Sequence, residues 1–171
     1  WPGPADISGR SLVLIDPGSL PDHSLAGNWR SSTTPGGNPG SSDAAPPFGG
    51  VAGADDDNGG LDALLEHAFG GNDGDPADAP YPEGSVEPLK VNGVIDDYLL
   101  IRIQRDLAAE DMIIRAEISS DLINWQSDPA AVVLINENAN DDGTSTLTYR
   151  SAQAVDSASQ IYIRAHAKLR P

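Results

Sequence analysis

The chain contains no cysteine, which excludes disulfide bonds, thiolate metal sites and cysteine nucleophiles together. It also has no apolar run close to the roughly 20 residues that a membrane-spanning helix needs, so we expect no membrane span. Basic residues are scarce, with 10 Lys and Arg against 26 Asp and Glu and a formal net charge of -16. Because so negative a chain repels phosphate backbones, we expect no nucleic-acid partner.

The shortage of basic residues is most severe in one segment, since no Lys or Arg lies between Arg30 and Lys90. The same segment carries eleven acidic residues: Asp43, Asp55, Asp56, Asp57, Asp62, Glu66, Asp73, Asp75, Asp78, Glu83 and Glu87. Such a segment attracts cations or a basic partner.

Glycine and proline lie mostly before residue 94, whereas the β-branched and aliphatic residues are concentrated after it. A short apolar run at residues 11–15 indicates one strand, and residues 21–53 have the composition of turns and coil. We therefore predict three parts. Residues 1–45 form an incomplete domain end or extended arm, residues 46–80 an acidic Gly/Pro-rich linker, and residues 81–171 a β-sandwich domain.

Five strands are predicted in the last part, because apolar residues either alternate with polar ones or form one short run. They are centred on Leu99–Ile103, Met112–Ile118, Ala131–Ile135, Leu147–Tyr149 and Ile161–Leu169. Asn92-Gly93 is a turn that would join a sixth strand near Leu89, and Asp141-Asp142-Gly143 is a second turn. The predicted fold is mainly β, a small antiparallel, immunoglobulin-like sandwich preceded by the arm and one short helix.

The short helix is predicted over residues 60–69. Its apolar residues recur at helical spacing, at Leu61, Leu64, Leu65, Ala68 and Phe69. Gly70-Gly71 then ends the helix as a C-terminal glycine cap.

A calcium loop is the one motif with a chemical mechanism behind it. In a twelve-residue EF-hand loop, oxygen ligands come from defined positions, and glycine at position 6 permits the sharp turn. Counting from Asp55 as position 1, Asp57 is position 3 and Gly60 is position 6. The backbone carbonyl of Leu61 is position 7, and Glu66 at position 12 is the bidentate carboxylate. The predicted metal ligands are therefore Asp55, Asp57, Leu61 and Glu66, with calcium as the cofactor.

Two positions depart from that loop, because Gly59 and Ala63 supply no side-chain ligand at positions 5 and 9. Asp73 or Asp75 could fold back after the helix to replace them. With few carboxylates, the expected affinity is in the weak range of extracellular modules.

A different interpretation of the same residues needs no metal. The segment would then be a solvated acidic linker, in which Asp56, Asp57 or Asn58 caps the N-terminus of the helix.

Catalytic constellations are not evident in the sequence, so we expect no enzyme activity. His23, His67 and His166 are far apart and lack metal-ligand spacing. No G-x-S-x-G elbow or phosphate loop occurs.

Three stretches resemble parts of large, multi-domain secreted bacterial proteins that carry lamin-tail domains. Trp1-Pro2 with Gly9–Pro17 resembles the last strand and turn of a lamin-tail domain, and Asn28–Ser32 with Gly36–Gly40 resembles its ending. Asp55–Gly70 is similar to an acidic linker of EF-hand or thrombospondin-type-3 character. Ile118–Trp125 and the ending Ile161–Arg164 resemble strands of the terminal sandwich.

The resemblance implies a non-catalytic structural or protein-interaction module at the C-terminal end of a secreted or cell-surface bacterial protein. Its partners would be another protein or other domains of the parent chain, and its location extracellular. The alternative is a carbohydrate-binding accessory module of a secreted hydrolase, with Trp125 stacking on the sugar.

Overall fold

The computed structural model of the protein describes residues 1–3, 5, 8–155 and 160–171. Within these ranges, every helix is too short or too polar to cross a lipid bilayer.

Two antiparallel sheets form the body of the molecule. The first has four strands in the order β3-β4-β7-β6, which are β3 (Glu83–Val91), β4 (Val94–Asp106), β7 (Thr144–Ser151) and β6 (Val132–Ala139). The second pairs β5 (Met112–Ser119) with β8 (Tyr162–Leu169). The sequence prediction of a mainly β, antiparallel sandwich is confirmed.

Tight turns at the expected residues connect neighbouring strands. Asn92 and Gly93 both have positive φ, 51° and 88°, which matches the twist of a two-residue hairpin between β3 and β4. Asp141 and Gly143, with φ of 62° and 94°, turn the chain between β6 and β7. The predicted sixth strand is therefore present as β3.

The N-terminal part contains a hairpin that the composition did not indicate. Strand β1 (Arg10–Leu14) pairs antiparallel with β2 (Trp29–Pro35). The expectation of turn and coil across residues 21–53 is wrong for β2, because a strand of Ser, Thr and Arg has no apolar alternation. Its Arg30, Ser31 and Ser32 are nevertheless fully buried.

Helix α1 (Ala63–Phe69) begins at Asp62, whose carboxylate accepts a hydrogen bond of 2.8 Å from the Leu65 N–H. The cap is thus Asp62, and the assignment of Asp56, Asp57 or Asn58 as the cap is wrong. Asp62 is the residue directly before the helix, where a side-chain oxygen can reach the free N–H groups of the first turn.

The hydrophobic core lies between the two sheets and includes helix α1. Ala68 and Phe69 of the helix are completely buried, as is Ile103 of β4. Residues from the helix, the segment before it, both sheets and the β4–β5 connection form this core: Leu61, Ala68, Phe69, Ile101, Ile103, Ala109, Met112, Ala116, Val132, Leu147 and Ala167. The helix therefore shares one core with the sheets.

Gly70 ends helix α1 in the left-handed region, with φ 79°, and its N–H donates to the Glu66 carbonyl. A Cβ atom there would lie 3.4 Å from both Asp106 and Thr144 side-chain atoms. We expect Gly70→Ala to lower the free energy of unfolding by about 1–2 kcal/mol, because alanine is strained at positive φ. Denaturant unfolding measures this. Gly53→Ala is the control, since a Cβ at Gly53 meets no atom within 4 Å, and an equal loss in both variants would contradict the explanation.

Candidate metal centre

Three carboxylates from two separate loops meet next to helix α1. Asp55 and Asp57 precede the helix, Asp73 follows it, and one oxygen of each lies within 4.8 Å of the others. The chain reverses between them because the short helix ends at the glycine cap. The loop after the helix thereby returns to the loop before it.

Backbone N–H groups fix the carboxylates of the first loop. The Gly60 N–H donates to Asp55 Oδ2 over 3.1 Å, and the Gly59 N–H donates to Asp57 Oδ1 over 2.6 Å. The Asp56 N–H donates across to Asp73 Oδ1 over 3.1 Å, which joins the two loops. Each of the three carboxylates keeps a second oxygen for another partner.

The second loop is a series of side-chain turns. The Gly74 N–H donates to Asn72 Oδ1 over 3.1 Å, and the Ala77 N–H donates to Asp75 Oδ1 over 3.0 Å. The Asn72 N–H closes the loop by donating to the Asp78 carbonyl over 3.2 Å. The Asp75 carboxylate therefore bonds within its own turn, whereas the Asp73 carboxylate bonds to the first loop.

Glu66 lies outside the aspartate cluster, but the charges of the cluster act on it. Its side chain is buried within helix α1, with 1% of the residue exposed, and neither carboxylate oxygen has a hydrogen-bond partner among the described residues. Burial raises the pKa of Glu66, and the negative charges of Asp57, Asp73, Asp55 and Asp78 raise it further. Its charged form therefore lacks compensation from the protein itself.

Asp57 has a similar deficit, because its Oδ2 is also buried without a hydrogen-bond partner in the described part of the chain. A buried carboxylate without a partner is costly unless it takes up a proton or binds a cation. Three buried, unpartnered oxygens beside the Asp55–Asp57–Asp73 cluster thus define a place where a cation would remove an electrostatic penalty.

The chemistry of the donors selects the type of cation. All of the side-chain donors are carboxylate oxygens, and the chain has no cysteine. Hard oxygen ligands suit calcium, which binds six to eight of them at about 2.3–2.6 Å. Two oxygens on one calcium ion are then at most about 5 Å apart, which agrees with the spacing of the three aspartates.

Comparison with known proteins supplies no family for this site. No family model matches the chain, and no curated protein or solved structure matches it. The resemblance to lamin-tail proteins and their acidic linkers therefore stays a prediction.

The structure brings together two of the four predicted ligands. Asp55 and Asp57 belong to the cluster, and Glu66 lies buried under their electrostatic influence. Leu61 is buried in the core, and its carbonyl as a ligand stays a prediction. Of the two acids left open by the sequence, Asp73 joins the cluster.

Asp78 is an additional acid that sequence reasoning did not single out. Its charge acts on Glu66, and its carbonyl closes the second loop. The signal for this loop was the succession Asn72, Asp73, Gly74 and Asp75, which repeats the acid-and-glycine pattern of the first loop.

The opposite side of helix α1 is tied to the sheets. His67 Nε2 lies 3.0 Å from Asp111 Oδ1, next to the start of β5, and the Phe48 N–H donates to Asp111 Oδ2 over 2.7 Å. The helix therefore presents Glu66 to the acidic loops while His67 and Phe69 hold it on the sandwich.

Proposed function

We propose that this chain is a non-catalytic, calcium-stabilised structural and protein-interaction module of an exported bacterial protein. The observation that carries the proposal is Glu66, a buried carboxylate with no hydrogen-bond partner among the described residues, on which the charges of three clustered aspartates act. Calcium would neutralise this site and complete the coordination that the protein begins.

A structural role is supported by where the site lies. The two loops that carry Asp55, Asp57 and Asp73 flank helix α1, whose Phe69 is fully buried in the core. The segment before the loops returns to the sheets through the Ala45 N–H, which donates to the Ala108 carbonyl over 2.8 Å. Calcium binding would therefore order the connection between the N-terminal hairpin and the sandwich.

An exported location agrees with the expected affinity. Loops with few side-chain carboxylates bind calcium in the range of about 10⁻⁴–10⁻³ M that is typical of extracellular modules. Such a site would be filled outside the cell, where a structural module would present its surface to another protein or to a domain of the parent chain.

Calorimetric titration with calcium tests the proposal. We expect Asp73→Asn to weaken calcium binding by about tenfold or more, because the substitution removes a ligand charge from the cluster. Asp75→Asn is the matched control, since Asp75 lies in the same loop but outside the cluster. The Asp75→Asn variant should bind calcium with an affinity close to that of the unmodified protein.

Two results would overturn the metal site. One is the absence of binding heat at millimolar calcium together with an unchanged melting temperature. The other is an equal loss of affinity in Asp73→Asn and Asp75→Asn, which would indicate nonspecific attraction by the acidic segment.

The carbohydrate alternative loses support at the residue that suggested it. The Arg164 guanidinium stacks 4.0 Å from the centre of the Trp125 ring, and the indole N–H donates to the Leu122 carbonyl over 3.2 Å. One ring face and the polar edge of Trp125 are thus already occupied, which leaves less of the indole for a sugar.

A further inference from the structure

A cleft of about 280 Å³ lies between the N-terminal segment and the sandwich, away from the acidic loops. Trp1 and Trp29 line one side of it, with their rings in an edge-to-face arrangement 6.0 Å apart. Strands of both sheets line the other side, including Arg105 of β4 and Tyr149 of β7. Aromatic rings and charged groups therefore face the same space.

Two arginines contribute positive charge to this cleft, although the chain as a whole carries a net charge of -16. The Arg105 guanidinium makes no hydrogen bond among the described residues, and its ion pair with Glu137 is long, at 3.6 Å. Arg170 donates from Nε to the Glu110 carbonyl over 3.2 Å. A guanidinium has five N–H donors, so most donors of both arginines remain available.

The surroundings add to this positive character. Both guanidinium groups line the same cleft. Burial and the charge of Arg105 lower the pKa of Arg170, whereas the charge of Glu110 raises it. Glu137 is the acid among the lining residues, and it also accepts a hydrogen bond of 3.0 Å from the Ser145 hydroxyl. Among the lining residues one carboxylate faces two guanidinium groups. Glu110 lies outside the lining and is paired with Arg30, so the cleft is suited to a second anion.

The shape and composition of the cleft narrow the class of that anion. A carboxylate can accept paired hydrogen bonds from a guanidinium, whereas a phosphate dianion would be repelled more strongly by Glu137. Glu137 and the Tyr149 hydroxyl can bind ring hydroxyls. Trp1, which is 71% exposed, offers apolar surface to a sugar ring, whereas the Trp29 indole N–H is already bonded to the His23 carbonyl. The volume is close to the lower end of small-ligand pockets, about 300 Å³, which favours one ring.

We propose that this cleft binds an acidic sugar ring, with Arg105 and Arg170 holding its carboxylate and Trp29 bordering the ring. The proposal is independent of the calcium site, because the two sites share no residue.

Titration of tryptophan fluorescence tests the cleft with glucuronate as the probe and glucose as the neutral ring of the same shape. Calcium is kept equal in all solutions, because a sugar carboxylate can bind calcium itself. We expect saturable binding of glucuronate and little response to glucose. Arg105→Met and Arg170→Met should each weaken glucuronate binding by about tenfold or more, since each removes charge-assisted hydrogen bonds.

Arg102→Met is the matched control. Arg102 lies on the same strand as Arg105 but three residues away, which places it on the opposite face, where it pairs with Glu87. The affinity of the Arg102→Met variant for glucuronate should equal that of the unmodified protein. Circular dichroism and the melting temperature of each variant show that a loss of binding is not a loss of fold.

Four outcomes would overturn the proposal. They are no saturable response to glucuronate, equal responses to glucuronate and glucose, tighter binding of inorganic phosphate, and tighter binding of an acetylated glutamate peptide. Because calcium affinity is measured separately, a failure of this cleft leaves the Asp73→Asn result unaffected.

Discussion

Replacing Glu66 with Gln is expected to stabilise the calcium-free protein and to destabilise the calcium-loaded protein. In a chelator, the substitution removes a buried charge that has no hydrogen-bond partner among the described residues. We expect the free energy of unfolding to rise by about 1–2 kcal/mol. With calcium in excess, the unmodified protein gains about 1–3 kcal/mol from metal binding, and the variant loses most of this gain.

The pH dependence of the calcium-free protein gives a second signature. The folded-state pKa of Glu66 is raised by burial and by neighbouring aspartates. Its contribution to stability is therefore fully present below the unfolded-state pKa and is lost as the pH rises through the folded-state pKa. The advantage of Glu66→Gln over the unmodified protein should thus be small in acid and grow toward neutral pH.

Urea unfolding in chelator and in calcium, at several pH values, measures both effects. Glu87→Gln is the control, because Glu87 is an acid at the surface that pairs with Arg102. A Glu66→Gln variant that is less stable in chelator and in calcium alike would contradict an uncompensated charge, and would mean that Glu66 has a stabilising partner.

Replacing Arg30 with Met is expected to cost about 3–5 kcal/mol, the range for breaking a buried ion pair by removing one partner. Arg30 is completely buried, and its guanidinium lies 2.5 Å from both Asp43 and Glu110. It joins strand β2 to the chain before β5. Loss of Arg30 leaves Asp43 and Glu110 with unpaired charges at this contact.

Because Asp43 is ionised in this contact, the stability of the contact should also depend on acidic pH. Burial opposes ionisation of Asp43, but hydrogen bonds from Arg30 and the Thr33 N–H outweigh it and lower the pKa to about 2. This contribution is present above the unfolded-state pKa and is lost as the pH falls through the folded-state pKa. The contact of the hairpin with the sandwich should therefore weaken between pH 3.8 and about 2.

Thermal and denaturant unfolding measure the Arg30→Met effect, and limited proteolysis reports on the hairpin. Adding Asp43→Asn and Glu110→Gln to Arg30→Met should recover part of the lost stability, because no unpaired charge remains. Arg102→Met, which breaks a surface pair, should cost less than about 1 kcal/mol. A comparable small loss for Arg30→Met would show that the three charges contribute little.

The elements with a clear period were predictable from the sequence. Helix α1 and most of the sandwich strands follow from apolar spacing, and Asn92-Gly93 marks a hairpin turn by its chemistry. Strand β2 was not predictable in this way, because its burial depends on Arg30 finding Glu110, 80 residues later in the chain. Periodicity cannot reveal a polar strand that is buried by a distant ion pair.

The candidate metal centre was also predictable from the sequence only in part. Asp55, Asp57 and Glu66 follow from one local motif, whereas the choice of Asp73 over Asp75 depends on how the second loop folds. The cleft with Arg105 and Arg170 has no local motif at all. Its residues come from segments that only the sheet topology and the docked hairpin bring together.

The burial of Phe69 has a mechanical consequence. When the two ends of the chain are drawn apart, the Arg30 ion pairs and the Ala45–Ala108 hydrogen bond resist first. Once they break, the segment before helix α1 can lengthen until the pull reaches the helix. Further extension must then withdraw Phe69, which is fully buried, from a close-packed interior. A calcium ion bound near Glu66 would hold the helix in place against that pull. The acidic segment would then resist extension instead of lengthening freely.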